Sequence, residues 1–175
     1  MFKEASLWEV REYKGRVKRG RKELIALGME AVDYVCREKM ATKDGLELRA
    51  IEELAKAMPD SILPCLLQAL KDERSGARAN AMWLLGRIRA EGAVDSLLLA
   101  LKERRNKPRW AISALGEIGE KRVVPQLLPY LKNKDEPTRI SAAYALAQLK
   151  DPRAVPHLID ALGDDYFTVR SAAES

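Results

Sequence analysis

The sequence predicts an all-α protein made of stacked helix pairs, and three observations carry that prediction. Ala and Leu number 24 each, whereas Val, Ile and Thr together number 20, a balance that favours helix formers over strand formers. Apolar residues recur at the 3, 1, 3 spacing of one helix face. That pattern itself returns about every 31 residues, so the 175-residue chain reads as one elongated array.

The period shows on two independent landmarks. The segments ILPCLLQALKD, AVDSLLLALKE, VVPQLLPYLKN and AVPHLIDALGD begin at Ile62, Ala93, Val123 and Ala154, spaced 31, 30 and 31. Leu54, Leu85, Leu115 and Leu146 lie ahead of them at the same spacing. Each repeat therefore holds two helices. First helices are expected at 47–58, 77–89, 108–119 and 137–149, and second helices at 61–71, 92–103, 122–132 and 153–162.

The elements follow in chain order. Leu7, Val10, Tyr13 and Val17, with Trp8, form a helical stripe that is expected to cap the array. Residues 31–36, AVDYVC, form a degenerate repeat, since Val32, Val35 and Cys36 precede Leu63, Leu66 and Leu67 by 31. This divides the chain into a cap with a degenerate repeat at 1–46 and a repeat region at 47–175, four full repeats and a partial fifth. The core positions of the second helices are Leu63, Leu66, Leu67 and Leu70, then Val94, Leu97, Leu98 and Leu101, then Val124, Leu127, Leu128 and Leu131, then Val155, Leu158, Ile159 and Leu162. First helices carry small residues such as Ala81, Ala111, Ala142 and Ala143, which let helices approach closely. Pro64, Pro125 and Pro156 recur near the second-helix starts, where a missing N–H costs little. FTVRSAAES opens a fifth repeat inside its first helix, so the fourth repeat's second helix is expected to be partly open and to offer an edge for a weak dimer; the chain is otherwise a monomer.

Charge and cysteine usage bound the function class. The net charge is +5, and residues 1–22 hold eight basic against three acidic residues, so the remainder is balanced. Lys3, Glu4 and Glu9 interrupt any secretory core, and the apolar runs fall short of the roughly 20 residues that cross a membrane, so a soluble cytoplasmic protein is expected. Cys36 and Cys65 lack CxxC spacing and read as small, inert, buried hydrophobes of a reducing compartment, with no disulfide between them. The charged composition with three Asn and three Gln leans towards a thermophilic source.

The run RISAAYALAQLKDPRAVPHLIDAL resembles the short HEAT-like repeats of phycobilisome lyase subunits and of many scaffold proteins, and the resemblance covers roughly residues 47–170. It implies a right-handed α-solenoid, because a helix pair cannot bury its apolar face alone and stacks on its neighbours. It also implies a polar ladder: Arg78, Arg139 and Arg170 stand where this family commonly places an arginine, each six residues after Asp72, Asn133 or Asp164. Pro108 takes that position in the third repeat, with Glu103 as the acid, so the ladder is expected to break there.

Catalysis has little support. His157 is the single histidine, which excludes His-based metal cages, and the paired His-Glu motifs of HEAT-repeat di-iron hydroxylases are absent. LGEIGEK around Gly116 and Gly119 reads as a repeat turn without P-loop spacing. No cofactor and no enzymatic activity are expected. What remains is binding of another protein or peptide by a scaffold. In the family the second helices line the concave face, which nominates Gln68, Leu99, Gln126, Pro129, Tyr130, His157 and Asp160, with Cys65 and Ser96 in the same rows, and with Leu99, Pro129 and Tyr130 forming an apolar spot anchored on Tyr130. The alternative is nucleic acid. Lys102, Arg104, Arg105, Lys107 and Arg109 crowd one turn against Glu103, and Trp110, expected to be partly exposed, follows them; cations beside an aromatic ring form a phosphate and base-stacking platform, which Lys14, Arg16, Lys18, Arg19, Arg21 and Lys22 could extend. The structural reading of the same turn is a solvated one near a helix C-terminus. An accessory role in a chromophore lyase rests on the resemblance alone.

Overall fold

A computed structural model describes the backbone of residues 14–103 and 105–174, with side chains from Lys18 onward. Leu7, Trp8, Val10, Tyr13, the Val17 side chain and Arg104 lie outside the described residues. Every element is helical, and no strand occurs among the described residues. The chain divides into two compact units, one running to Ile88 and one starting at Arg89.

The first unit holds α1 (Lys14–Ala26), α2 (Met29–Tyr34) continuing into a π-helical turn (Val35–Lys39), α3 (Gly45–Ala57), α4 (Pro59–Ala69) and α5 (Ser75–Arg87). Asp44 starts α3 by accepting from the backbone N–H groups of Leu46 and Glu47, which satisfies donors that an uncapped helix leaves orphaned. Pro59 sits in the first turn of α4, as a residue without an N–H can. Helix α3 packs on α1, α4 and α5, and α4 packs on α2 and the π-helical turn. Leu24, Val32, Val35, Ile51, Leu54, Ile62, Leu66 and Leu85 are fully buried there. Asn80 donates to the carbonyls of Met40 and Thr42 at 2.9 Å each, fastening α5 to the turn ahead of α3. Buried Glu52 keeps its charge because hydrogen bonds from Lys56 and Arg87 outweigh its burial and hold its pKa below the usual range.

The second unit holds α6 (Val94–Lys102), α7 (Pro108–Ile118), α8 (Val124–Leu127), α9 (Glu136–Leu149), α10 (Val155–Ala161) and α11 (Phe167–Ala173). Short 3₁₀ turns at Glu91–Ala93, Lys121–Val123 and Pro152–Ala154 lead into α6, α8 and α10. The predicted helix 122–132 is not a single α-helix: α8 gives way to a 3₁₀ segment, Leu128–Lys132, because Pro129 has no N–H and its ring crowds the preceding turn. Helix α7 packs on α6 and α9, and α9 packs on α10 and α11. The α7 and α9 backbones meet at Gly116, where an added Cβ would stand 2.7 Å from Ala145 Cβ, so only glycine fits. Gly116 therefore serves helix packing, and the turn role expected of LGEIGEK falls to Gly119, which ends α7 at φ 90°.

The second-helix face is only partly core. Leu66, Leu97 and Leu127 are fully buried and Leu70, Leu101 and Leu131 nearly so, whereas Leu67, Leu98 and Leu128 are half-buried.

The ladder is present and has a definite chemistry. Arg78 donates to the carbonyls of Asp72 and Glu73 at 2.7 and 2.8 Å. Arg139 donates to Asn133 and Lys134 at 2.8 and 3.3 Å, and Arg170 to Asp164 and Asp165 at 2.7 and 3.1 Å. Each guanidinium thus satisfies carbonyls left open where a second helix has ended. Arg139 also forks onto Asp164, Nε to Oδ2 at 2.8 Å and Nη2 to Oδ1 at 3.2 Å, which holds the Asp164 carboxyl below the usual range. At Pro108 the ladder is broken as expected, and Asn106 instead donates to the carbonyl of Ala100 at 2.8 Å.

The cysteines overturn the expectation of two inert thiols. Cys36 and Cys65 form a disulfide with Cα atoms 5.8 Å apart and a sequence separation of 29. That separation is close to one repeat period, and residues one period apart lie side by side in stacked helices, so the fold brings together cysteines that no local motif links. The argument from cysteine usage to a reducing compartment lapses with it. No described helix is long and apolar enough to cross a membrane.

Two outcomes follow from these cross-links. Replacing Cys36 and Cys65 together by Ser is expected to lower the stability of the first unit by about 2–4 kcal/mol, read from urea unfolding with and without a thiol reductant. Arg139→Met is expected to cost about 1–3 kcal/mol, because it orphans two carbonyls and a carboxylate. Since the folded Asp164 pKa is depressed, the ion-pair part of that difference is present above the ordinary aspartate range and shrinks as pH falls through the depressed value. Urea midpoints of wild type and variant should therefore converge in acid.

Candidate docking surface

The residues nominated on the second helices fall in both units. Gln68 is exposed on α4 in the first unit. In the second unit Leu99 on α6 is 66 % exposed. Gln126, Pro129, His157 and Asp160 are exposed on α8, the 3₁₀ segment and α10. Tyr130 is half-buried, its hydroxyl donating to the carbonyl of Leu101 at 3.4 Å, and burial raises the phenol pKa. The Gln126 amide is turned onto its own helix, 3.0 Å from the carbonyls of Arg122 and Val123.

The fold joins some of these residues in one cavity and leaves others apart. His157 and Asp160 share a cavity of about 540 Å³ with Leu128, Leu131, Arg139 and Tyr166. Sequence reasoning had placed Arg139 and Asp164 in a structural ladder and had not considered Tyr166, yet all three shape this cavity: the Arg139 guanidinium sits 5.3 Å from the Tyr166 ring centroid while its fork holds Asp164. The signal was present in the 25-residue step from Arg139 to the next ladder acid, which is a repeat length less the six residues that separate acid from arginine. Leu99, Pro129 and Tyr130 lie outside this cavity's wall.

The basic turn builds a different cavity, of about 550 Å³, lined by Lys102, Lys107, Pro108, Arg109, Asn133 and Lys134 among others. Arg105 is paired with Glu103 at 2.8 Å. Trp110 is 37 % exposed, with the Arg109 guanidinium 5.0 Å from its ring centroid.

A third surface lies on α10. Val155, Ile159 and Leu162 are 51, 62 and 40 % exposed, whereas one repeat earlier Val124 is 0 % and Leu131 6 % exposed. Among the described residues no group of three or more His, Cys, Asp or Glu side chains could hold a metal ion.

Comparison with known proteins agrees with the repeat architecture. HEAT repeats match residues 41–109 and 102–175. The phycocyanobilin lyase subunit alpha of Nostoc sp. (strain PCC 7120) is 33 % identical over 124 residues, covering 65 % of this chain and 45 % of that protein. The protein of the same name from Picosynechococcus sp. is 36 % identical over 96 residues, covering 49 % of this chain and 36 % of that protein. Among solved structures, the complex of CpcE and CpcF of phycocyanin lyase from Nostoc sp. PCC7120 superposes with a TM-score of 0.60 over 98 % of this chain and 72 % of the matched one; at 19 % identity that likeness shows the fold, an α-solenoid. The chain spans less than half the length of these two lyase relatives, and it belongs to the HEAT-repeat family.

Proposed function

We propose that this protein is a non-catalytic protein-docking module, acting as the accessory subunit of a chromophore-lyase-type assembly. The observation that carries the reading is the set of apolar side chains that the second helices of the second unit leave in water: Leu99, Val155, Ile159 and Leu162. Exposed apolar side chains mark a partner site where they form a contiguous patch, and Val155, Ile159 and Leu162 share one face of α10 at helical spacing. The alpha-subunit relatives support the same direction, as does a structural neighbour solved as a complex of two lyase subunits.

Two seats follow. The row of Leu99, Pro129 and Tyr130, with His157 beyond it, is the seat for the second subunit. The open α10 face is the seat for a weak self-association. Both are tested by mixing the 175-residue chain with the second subunit of phycocyanin lyase and measuring sedimentation. A one-to-one complex is expected, weakened at least about tenfold by Leu99→Glu, or about 1.4 kcal/mol, with helicity unchanged. Ile159→Glu is expected to remove self-association of the chain alone and to spare the complex. Absence of any complex would overturn the lyase reading.

A further inference from the structure

The third repeat lacks both partners of the ladder ion pair. Pro108 stands where the other repeats carry Arg78, Arg139 and Arg170. Asn133, 25 residues on, stands where Asp164 receives Arg139. Asn133 keeps the turn-closing role, accepting from the Asp135 N–H at 2.9 Å as Asp164 accepts from that of Tyr166 at 3.0 Å, but it carries no charge. Whereas the cavity of about 540 Å³ beside Arg139 has a ladder ion pair in its wall, this position borders a cavity of about 550 Å³ that no ladder ion pair crosses.

The charges around that cavity are unbalanced. Lys102, Lys107, Arg109 and Lys134 line it, and none of the four makes an ion pair with a described carboxylate. The two acids in the wall are already engaged. Glu103 accepts from Arg105 and Asn106 at 2.8 and 3.3 Å, and Asp135 caps α9 by accepting from the backbone N–H and hydroxyl of Thr138. Four cations around one concavity repel one another, and an entering anion relieves that repulsion through charge-assisted hydrogen bonds.

We infer that this cavity receives a short acidic segment of a protein partner, whose Asp or Glu carboxylates take the place of the missing ladder acid; the inference rests on the docking reading above. Two observations favour a peptide over nucleic acid. The Trp110 ring is already faced by Arg109 at 5.0 Å, so a base would have to displace that guanidinium to stack there. The adjoining cavity shares Asn133 and Lys134 and carries Asp160, Asp164 and Asp165, which would repel a phosphate backbone running on in that direction. A peptide with two or three carboxylates ends before it reaches them.

The test uses the 175-residue chain and a fluorescein-labelled triglutamate peptide, followed by anisotropy at about 50 and 200 mM salt, a range over which exposed charge pairs are progressively screened. Binding is expected at low salt, weakening steeply with salt, and falling at least roughly tenfold in Lys107→Glu/Lys134→Glu. Lys121→Glu/Lys150→Glu makes the same change in net charge at turns of the second unit that do not line the cavity, and is expected to bind as wild type does. Should the first double variant lose helicity, Lys107→Gln/Lys134→Gln replaces it. Equal binding by wild type and the cavity variant would overturn the inference, as would an equal loss in both charge-reversal variants. Tighter binding of a six-residue oligothymidylate through the same two lysines would overturn it in favour of nucleic acid. No peptide binding at low salt, with the lyase-subunit complex intact, would remove this seat and leave the docking reading standing.

Discussion

Close approach between first helices is the constraint on which the second unit depends. Helix α7 can lie against α9 only because Gly116 presents no side chain to Ala145. Ala111, Ala142 and Ala143 keep the same layer thin, and each is fully buried. A layer of small residues gives up apolar volume, so the larger aliphatics must come from the second helices, and Leu97, Leu127 and Leu131 supply them. The division of labour explains why one helix of each pair reads as alanine-rich and the other as leucine-rich. A second helix keeps one face inward and one row outward, as Leu99 shows, while the first helices also leave Trp110 and Tyr144 exposed.

The arginine ladder solves a different problem. Each second helix ends at a turn whose carbonyls have no intrahelical donor, and a buried guanidinium from the next first helix supplies two hydrogen bonds at once. Where Pro108 removes that guanidinium, Asn106 satisfies one carbonyl from within the turn, and the space is left open. The turn residues then decide what the opening is for. Around Arg139 the walls are mixed in sign and include an ion pair, and around Pro108 four cations outnumber two acids that are engaged elsewhere. The charge of this surface comes from Lys102, Lys107, Arg109 and Lys134 and not from the loss of the arginine at Pro108.

The disulfide and the open α10 face show how a repeat protein handles departures from its period. Cys36 lies in the π-helical turn that follows the short α2, and a disulfide links it to Cys65 on α4. On α10 side chains that the pattern marks as core stay in water.

The sequence by itself determined the all-α class, the 31-residue period and the register of first and second helices, and its resemblance to the short HEAT-like repeats implied the ladder arginines and the position of their break. All of these are periodic or local, and a helix face or a repeated residue can be read from spacing. Only the tertiary structure decided four other features: that Cys36 meets Cys65, that Pro129 converts the third second helix to a 3₁₀ segment, that Leu67, Leu98 and Leu128 are half-buried, and that Arg139, Tyr166 and His157 line one cavity. Each depends on distances between residues a repeat apart, or on the balance of chain strain against packing, and neither is encoded in the order of residues along a single helix. Leu99 and Ile159 make the point within one pattern: both are apolar residues on second helices, and the fold alone separates an outward row from an uncovered stacking face.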